Sequence, residues 1–212
     1  MDGESDTVNQ ILEESVMVSS AQKGDMDAFN QLVQQYQDTV FNTAYRILGD
    51  FDEAEDAAQK AFISAYQSIR SFRGGSLRAW LLRTTVNACY DEIRRSKRRP
   101  TVSIEAHEEL ESAAEDGWLA DNIPSPQQIS ETKELQQAVQ HCLQELPIDF
   151  RLIAILADVD ELDYEEISRI TGNPLGTVKS RLSRARVKLR GCLEGFWELL
   201  PLNFRQKYED AR

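Results

Sequence analysis

Seven basic side chains, Arg169, Lys179, Arg181, Arg184, Arg186, Lys188 and Arg190, follow one another with no acid among them. Cations massed in this way can neutralise phosphates, and an arginine fork can read a guanine edge. Val178, Leu182, Ala185 and Leu189 recur at helical spacing within the same run, which places them together on a buried face. The opposite face then shows Lys179, Ser180, Ser183, Arg184 and Lys188, residue types that contact bases and phosphates. Thr177 and Arg186 flank that face, where sugar-phosphate backbone contacts would fall. Upstream, a short helix burying Ile167 and Ile170 leads into the sharp turn Gly172-Asn173-Pro174. Pro174 suits a first helical position, with Asn173 as its cap. A short helix, a glycine turn and a basic second helix make a helix-turn-helix, whose second helix enters a major groove by its early turns. The plainer alternative is a solvated basic face on a structural bundle.

The formal net charge of -12 speaks against nucleic acid only if charge is spread evenly, and it is not. Acids gather at the N-terminus (Asp2, Glu4, Asp6, Glu13, Glu14) and in the middle (Glu105, Glu108, Glu109, Glu111, Glu115, Asp116, Asp121). A second basic block, Arg94, Arg95, Lys97, Arg98 and Arg99, lies before the acidic middle. No glycine-rich phosphate loop and no nucleophile with a nearby base occurs, so an enzyme is not expected. The cysteines Cys89, Cys142 and Cys192 are odd in number and widely spaced, and His107 and His141 complete no ligand pattern. They read as reduced thiols, with no metal and no cofactor. No apolar run of about 18 residues and no signal peptide is present, so the expected place is the cytoplasm, without membrane insertion.

Helices must position these groups, because helical periodicity dominates the chain and strand signals are nearly absent. One helix is predicted over 25–48, broken by Gly49-Asp50, and a second over 52–71 with the small-residue stripe Ala54, Ala57, Ala58, Ala61 and Ala65. Gly74-Gly75 forces a loop, Ser76 caps a third helix over 77–98, and Pro100 ends it. A further helix presents Leu135, Val139, Cys142 and Leu146, up to the break at Pro147. Helices over 150–158, 164–171 and 174–193 complete the set. The expected fold is all-α: two small helical domains, 21–99 and 127–193, joined by an acidic flexible linker over 100–126. An acidic N-terminal extension (1–20) and an apolar C-terminal tail (194–212) flank them. So apolar a tail is expected to pack on the second domain or on a partner.

The run Gly176-Thr177-Val178-Lys179-Ser180-Arg181-Leu182, followed by Arg184-Ala185-Arg186, resembles the recognition helix of region 4 in extracytoplasmic-function (ECF) sigma factors. Leu143-Gln144-Glu145-Leu146-Pro147 and Tyr164-Glu165-Glu166-Ile167 match the same region. Ala54-Glu55-Asp56-Ala57-Ala58-Gln59, and Phe72-Arg73-Gly74-Gly75-Ser76 with Trp80-Leu81, resemble region 2. The resemblance spans about 21–193 in order. It implies a promoter-reading subunit of RNA polymerase whose partners are the core (clamp and flap), promoter DNA and, in many relatives, an anti-sigma factor. It implies that Lys179, Ser180, Ser183 and Arg184 read a -35 element, with Arg181 on phosphate. It implies that the loop Phe72, Arg73, Gly74, Gly75 and Ser76 holds an extruded -10 base, with Arg78, Arg83, Asn87 and Arg94 along the strand. Asp56 and Gln59 match the clamp-contacting helix, where Lys60 replaces an acid often found. The competing reading is a stand-alone helix-turn-helix transcription regulator.

Overall fold

The computed structural model describes residues 2–98, 126–201 and 205, with side chains left aside for residues 2–11 and 126–132. The linker and the greater part of the tail beyond 201 lie outside the described residues, as do His107 and Arg99. Among the described residues there is no strand. Four helices form the N-terminal unit: α1 (Asp2–Gln22), α2 (Met26–Leu48), α3 (Phe51–Ser68) and α4 (Leu77–Arg98). Four more form the C-terminal unit: α5 (Pro126–Gln144), α6 (Ile148–Ala154), α7 (Tyr164–Thr171) and α8 (Leu175–Leu193).

Local chemistry sets the boundaries. Asp25 caps α2 by accepting from the amides of Asp27 and Ala28, and Asp50 caps α3 through the amide of Glu53. Gly49 ends α2 in the left-handed region at φ 83°. The second predicted helix ends three residues early, at Ser68, and Ile69–Ser71 tighten into a 3-10 turn. The alanine stripe of α3 is buried against α2 and α4, as its small side chains require for close approach. Ile155–Val159 continue α6 as a wider π turn, placing Asp160 at its end.

Three expectations change, and the N-terminal extension gains a structure. The N-terminal extension is a packed helix: Val18 and Ala21 are buried, and the Tyr36 hydroxyl donates to Glu14. Asn173 does not cap α8: Pro174 occupies that position without a side-chain bond, and the Asn173 amide donates to the Thr171 carbonyl instead. In α5, Val139 is exposed while Ala138, Cys142 and Leu143, and Leu146 just beyond the helix, are buried, because the helix turns Gln140 and Gln144 toward α2. Cys142 and Cys192 are joined as a disulfide between α5 and α8, and only Cys89 is free. A spacing of 50 residues carries no sequence sign of that pairing.

The two units meet in one continuous core. The last turn of any helix leaves carbonyls without intrahelical donors. Here the C-terminal unit supplies the donors for α2: Gln140 to Tyr45 O, Gln144 to Arg46 O and Arg151 to Ile47 O. A Cβ on Gly49 would stand 2.6 Å from the Gln144 side chain, so glycine is needed there for contact as well as for φ.

Asp160 lies on the same interface at 3% exposure. Its carboxylate accepts from Thr43 Oγ1 at 3.0 and 3.1 Å, and Arg78 donates to its main-chain carbonyl. Burial pushes this carboxyl up to about 6, outweighing the Thr43 bond and the attraction of Arg78 and Arg46. The packed arrangement therefore binds a proton that the separated or unfolded chain releases near its ordinary value of 3.8. The contact is expected to be firmest below pH 4 and to lose about 3 kcal/mol as pH rises through 6, levelling off above. Fluorescence transfer between labels on the two units, followed against pH, checks this. The Asp160→Asn variant should lose this component, and an identical profile in both proteins would refute the assignment.

Candidate nucleic-acid interface

The second helix of the helix-turn-helix is built as its pattern requires. α7 opens with a reciprocal capping box: the Asp163 carboxylate accepts from the Glu166 amide, and the Glu166 carboxylate accepts from the Asp163 amide. The Asp-x-x-Glu spacing of this box is legible in the sequence. Gly172 turns the chain at φ 68°. Val178, Leu182 and Ala185 then bury one face of α8, leaving Lys179, Ser180, Ser183, Arg184 and Lys188 exposed together. Lys179 Nζ sits 5.6 Å from the centroid of the Tyr164 ring, which steadies the ammonium without neutralising it.

The structure divides the basic run by what holds each side chain. Arg181 is half-buried, donating to Asn173 Oδ1 at 3.1 Å and pairing with Asp149 at 3.2 Å. Arg186 makes a two-pronged pair with Asp158, at 3.1 and 2.5 Å. These two brace α8 against α6 and its π turn. Thr177 is half-buried, and its carbonyl accepts from the Ser180 hydroxyl. The braces were invisible in the basic run because their carboxylates come from another element.

In the N-terminal unit, Phe72 packs against Trp80 with ring centroids 5.5 Å apart. Arg73 donates to the Arg70 carbonyl, and Ser76 Oγ accepts from the Ala79 amide as the cap of α4. Gly74 and Gly75 lie between, at φ 95° and 91°, with nothing within 4 Å of where a Cβ would be. That is a backbone other residues strain to adopt, in open space that a flat ring could enter. Arg83, Asn87 and Arg94 are exposed along one stripe of α4. The same 3–4 spacing adds half-buried Trp80 and Tyr90, so aromatic and polar groups share the stripe. Arg78 departs from the stripe, since it is turned onto Asp160.

Asp56, Gln59 and Lys60 are exposed on α3. Lys60 reaches Glu92 at 3.0 Å and Asp56 at 3.5 Å, and Arg95 reaches both acids as well. Glu92 is only 2% exposed, so it needs cations beside it. Lys60 thus has an internal use, compensating a buried carboxylate.

Sequence comparison matches both units. The Sigma-70 region 2 family covers residues 32–99, and the Sigma-70 region 4 family covers residues 136–189. The ECF RNA polymerase sigma-E factor of Escherichia coli K12 is 38% identical over 180 residues, 84% of this chain and 93% of that one. This chain is an ECF RNA polymerase sigma factor.

The RNA polymerase sigma-H factor of Pseudomonas aeruginosa is similar at 36% identity, over 84% of this sigma factor and 92% of that one. Among solved structures, the sigma factor RpoE of Bartonella quintana, crystallised with the anti-sigma factor NepR, superposes with a TM-score of 0.61 at 27% identity. It covers 78% of this chain and 96% of that one. CnrH, in complex with the cytosolic domain of CnrY, gives 0.62 at 21% identity over 86% and 98%, a likeness of fold. The fold is therefore all-α with two sigma domains, as expected. No helix of the described sigma factor is long and apolar enough to cross a membrane.

Proposed function

We propose that this sigma factor joins core RNA polymerase inside the cell and selects promoters by reading two elements with its two units. The proposed units run over 21–99 and 127–193. The observation that carries the reading is the outward face of α8, where Lys179, Ser180, Ser183 and Arg184 stand exposed on a helix already braced from within. These four read the edges of the -35 bases. Arg181 and Arg186 hold the helix at its angle, and Thr177 lies toward the backbone. The loop Phe72 to Ser76 takes an extruded -10 base, and Arg83, Asn87 and Arg94 follow the melted strand. Arg78 joins them when it leaves Asp160. Asp56 and Gln59 face the polymerase clamp, and Lys60 keeps Glu92 compensated. The chain is not itself an enzyme: polymerase performs the chemistry. An anti-sigma factor is the expected regulator, by analogy with the complex of RpoE and NepR. A stand-alone regulator is disfavoured, because the chain carries a region 2 unit beside its region 4 helix-turn-helix.

Run-off transcription with purified core polymerase on a promoter library tests this. Specific start sites are expected only when the protein is added, and they would give both promoter elements. Failure to bind core would overturn the reading.

A further inference from the structure

The loop proposed to hold the -10 base is anchored from an unexpected place. Gln22 closes α1, ahead of the segment that the region 2 family covers. Its side-chain nitrogen donates to Phe72 O at 2.8 Å and to Ile69 O at 3.1 Å. Those carbonyls bracket the 3-10 turn Ile69–Ser71, and the Phe72 amide itself donates to Ile69 O. One amide group therefore fixes the entry to the loop. Beyond it the chain has little to hold it until the Ser76 cap: the Arg73–Arg70 bond, and two glycines in open space.

The residue type fits the task. A glutamine NH2 carries two donors on one atom and can satisfy two carbonyls at once, whereas a glutamate presents only acceptors to them. The donor is itself well placed. Ala21 beside it is buried, Val18 one turn earlier is buried, and the turn after it is tied by the Asp25 cap of α2. Each backbone residue left unfixed loses conformational entropy when it is ordered later. A loop entry fixed in advance spares part of that cost when a base arrives.

We propose that Gln22 is a positioning residue for -10 recognition: through Phe72 it sets where the glycine loop stands relative to Trp80 and the stripe on α4. The proposal rests on assigning that loop to the -10 element. Gln22 itself touches no DNA.

The test uses holoenzyme assembled from core polymerase and the full chain, wild type or Gln22→Met or Gln22→Glu. A fluorescent single strand bearing the -10 sequence mapped by run-off transcription is titrated beside a strand altered at the extruded position. Affinity for core and for a -35 duplex is measured in parallel. In both variants the matched strand should bind about tenfold more weakly, the loss expected for two hydrogen bonds. Preference for matched over altered strand should shrink, while core and -35 affinities stay within twofold (about) of wild type. Unchanged strand preference in both variants would overturn the proposal. So would a parallel loss of core, -35 and -10 binding, which would mark Gln22 as structural only. Should wild-type holoenzyme itself fail to distinguish the strands, while starting at specific sites, the loop assignment falls and takes this proposal with it.

Discussion

Replacing Lys179 and Arg184 together by glutamate is expected to abolish -35 recognition, lowering affinity for the duplex by at least about 100-fold. A well-placed side chain on a base edge is worth about 1–3 kcal/mol, and reversing its charge adds repulsion from neighbouring phosphates. Both side chains are exposed on α8, and Val178, Leu182 and Ala185 keep the core face intact, so the fold should survive. Core binding should be retained. Titrations at several salt concentrations would also show log K falling less steeply with log salt, by about 0.9 for each cation that meets a phosphate. Arg181→Ala should behave differently. It removes the ties to Asp149 and Asn173, so its loss would appear in stability as well as in affinity. A double variant that still binds the -35 duplex like wild type would remove α8 as the reading helix.

The second large effect concerns the thiols. Reducing the Cys142–Cys192 bond is expected to cost the C-terminal unit about 4 kcal/mol, the chain entropy released when a closed loop of this length is opened. The bond ties α5 to the end of α8, close to where Phe196 rests edge-on against His141. Denaturant unfolding with and without reductant checks the magnitude. Cys192→Ser in oxidising buffer should match the reduced wild type. Thiol counting in denaturant should find one reactive group without reductant, Cys89, and three with it. Three thiols in both samples would refute the pairing.

Those two cysteines mark one boundary of what could be read before folding. Helix ends were legible wherever a residue has a local preference: Gly49 and Gly172 stop helices for reasons of φ, Pro147 for its missing donor, and Ser76 starts one by accepting from the Ala79 amide. The alanine stripe of α3 was legible because burial repeats at helical spacing. The exposed face of α8 was legible for the same reason. The interface between the units was not. It is made by Gln140, Gln144 and Arg151 reaching main-chain carbonyls, and a carbonyl leaves no mark in the sequence. Nor was the division of the basic run, since Asp149 and Asp158 lie far from Arg181 and Arg186 along the chain. α1 was hidden by its acids, although Val18 and Ala21 sit one turn apart on its buried side.

Arg78 stands in two accounts at once. Its guanidinium is bound to Asp160 across the two units, yet the -10 strand is expected to call on it. A side chain cannot serve both, so DNA capture and separation of the units draw on the same free energy. Thermodynamic reciprocity then fixes the rest. Whatever pulls the units apart makes Arg78 available and tightens the grip on the melted strand, and the strand, once bound, holds the units apart by the same factor. Asp160 would thus set how strongly the joining of the two units opposes capture of the melted strand, without itself touching DNA.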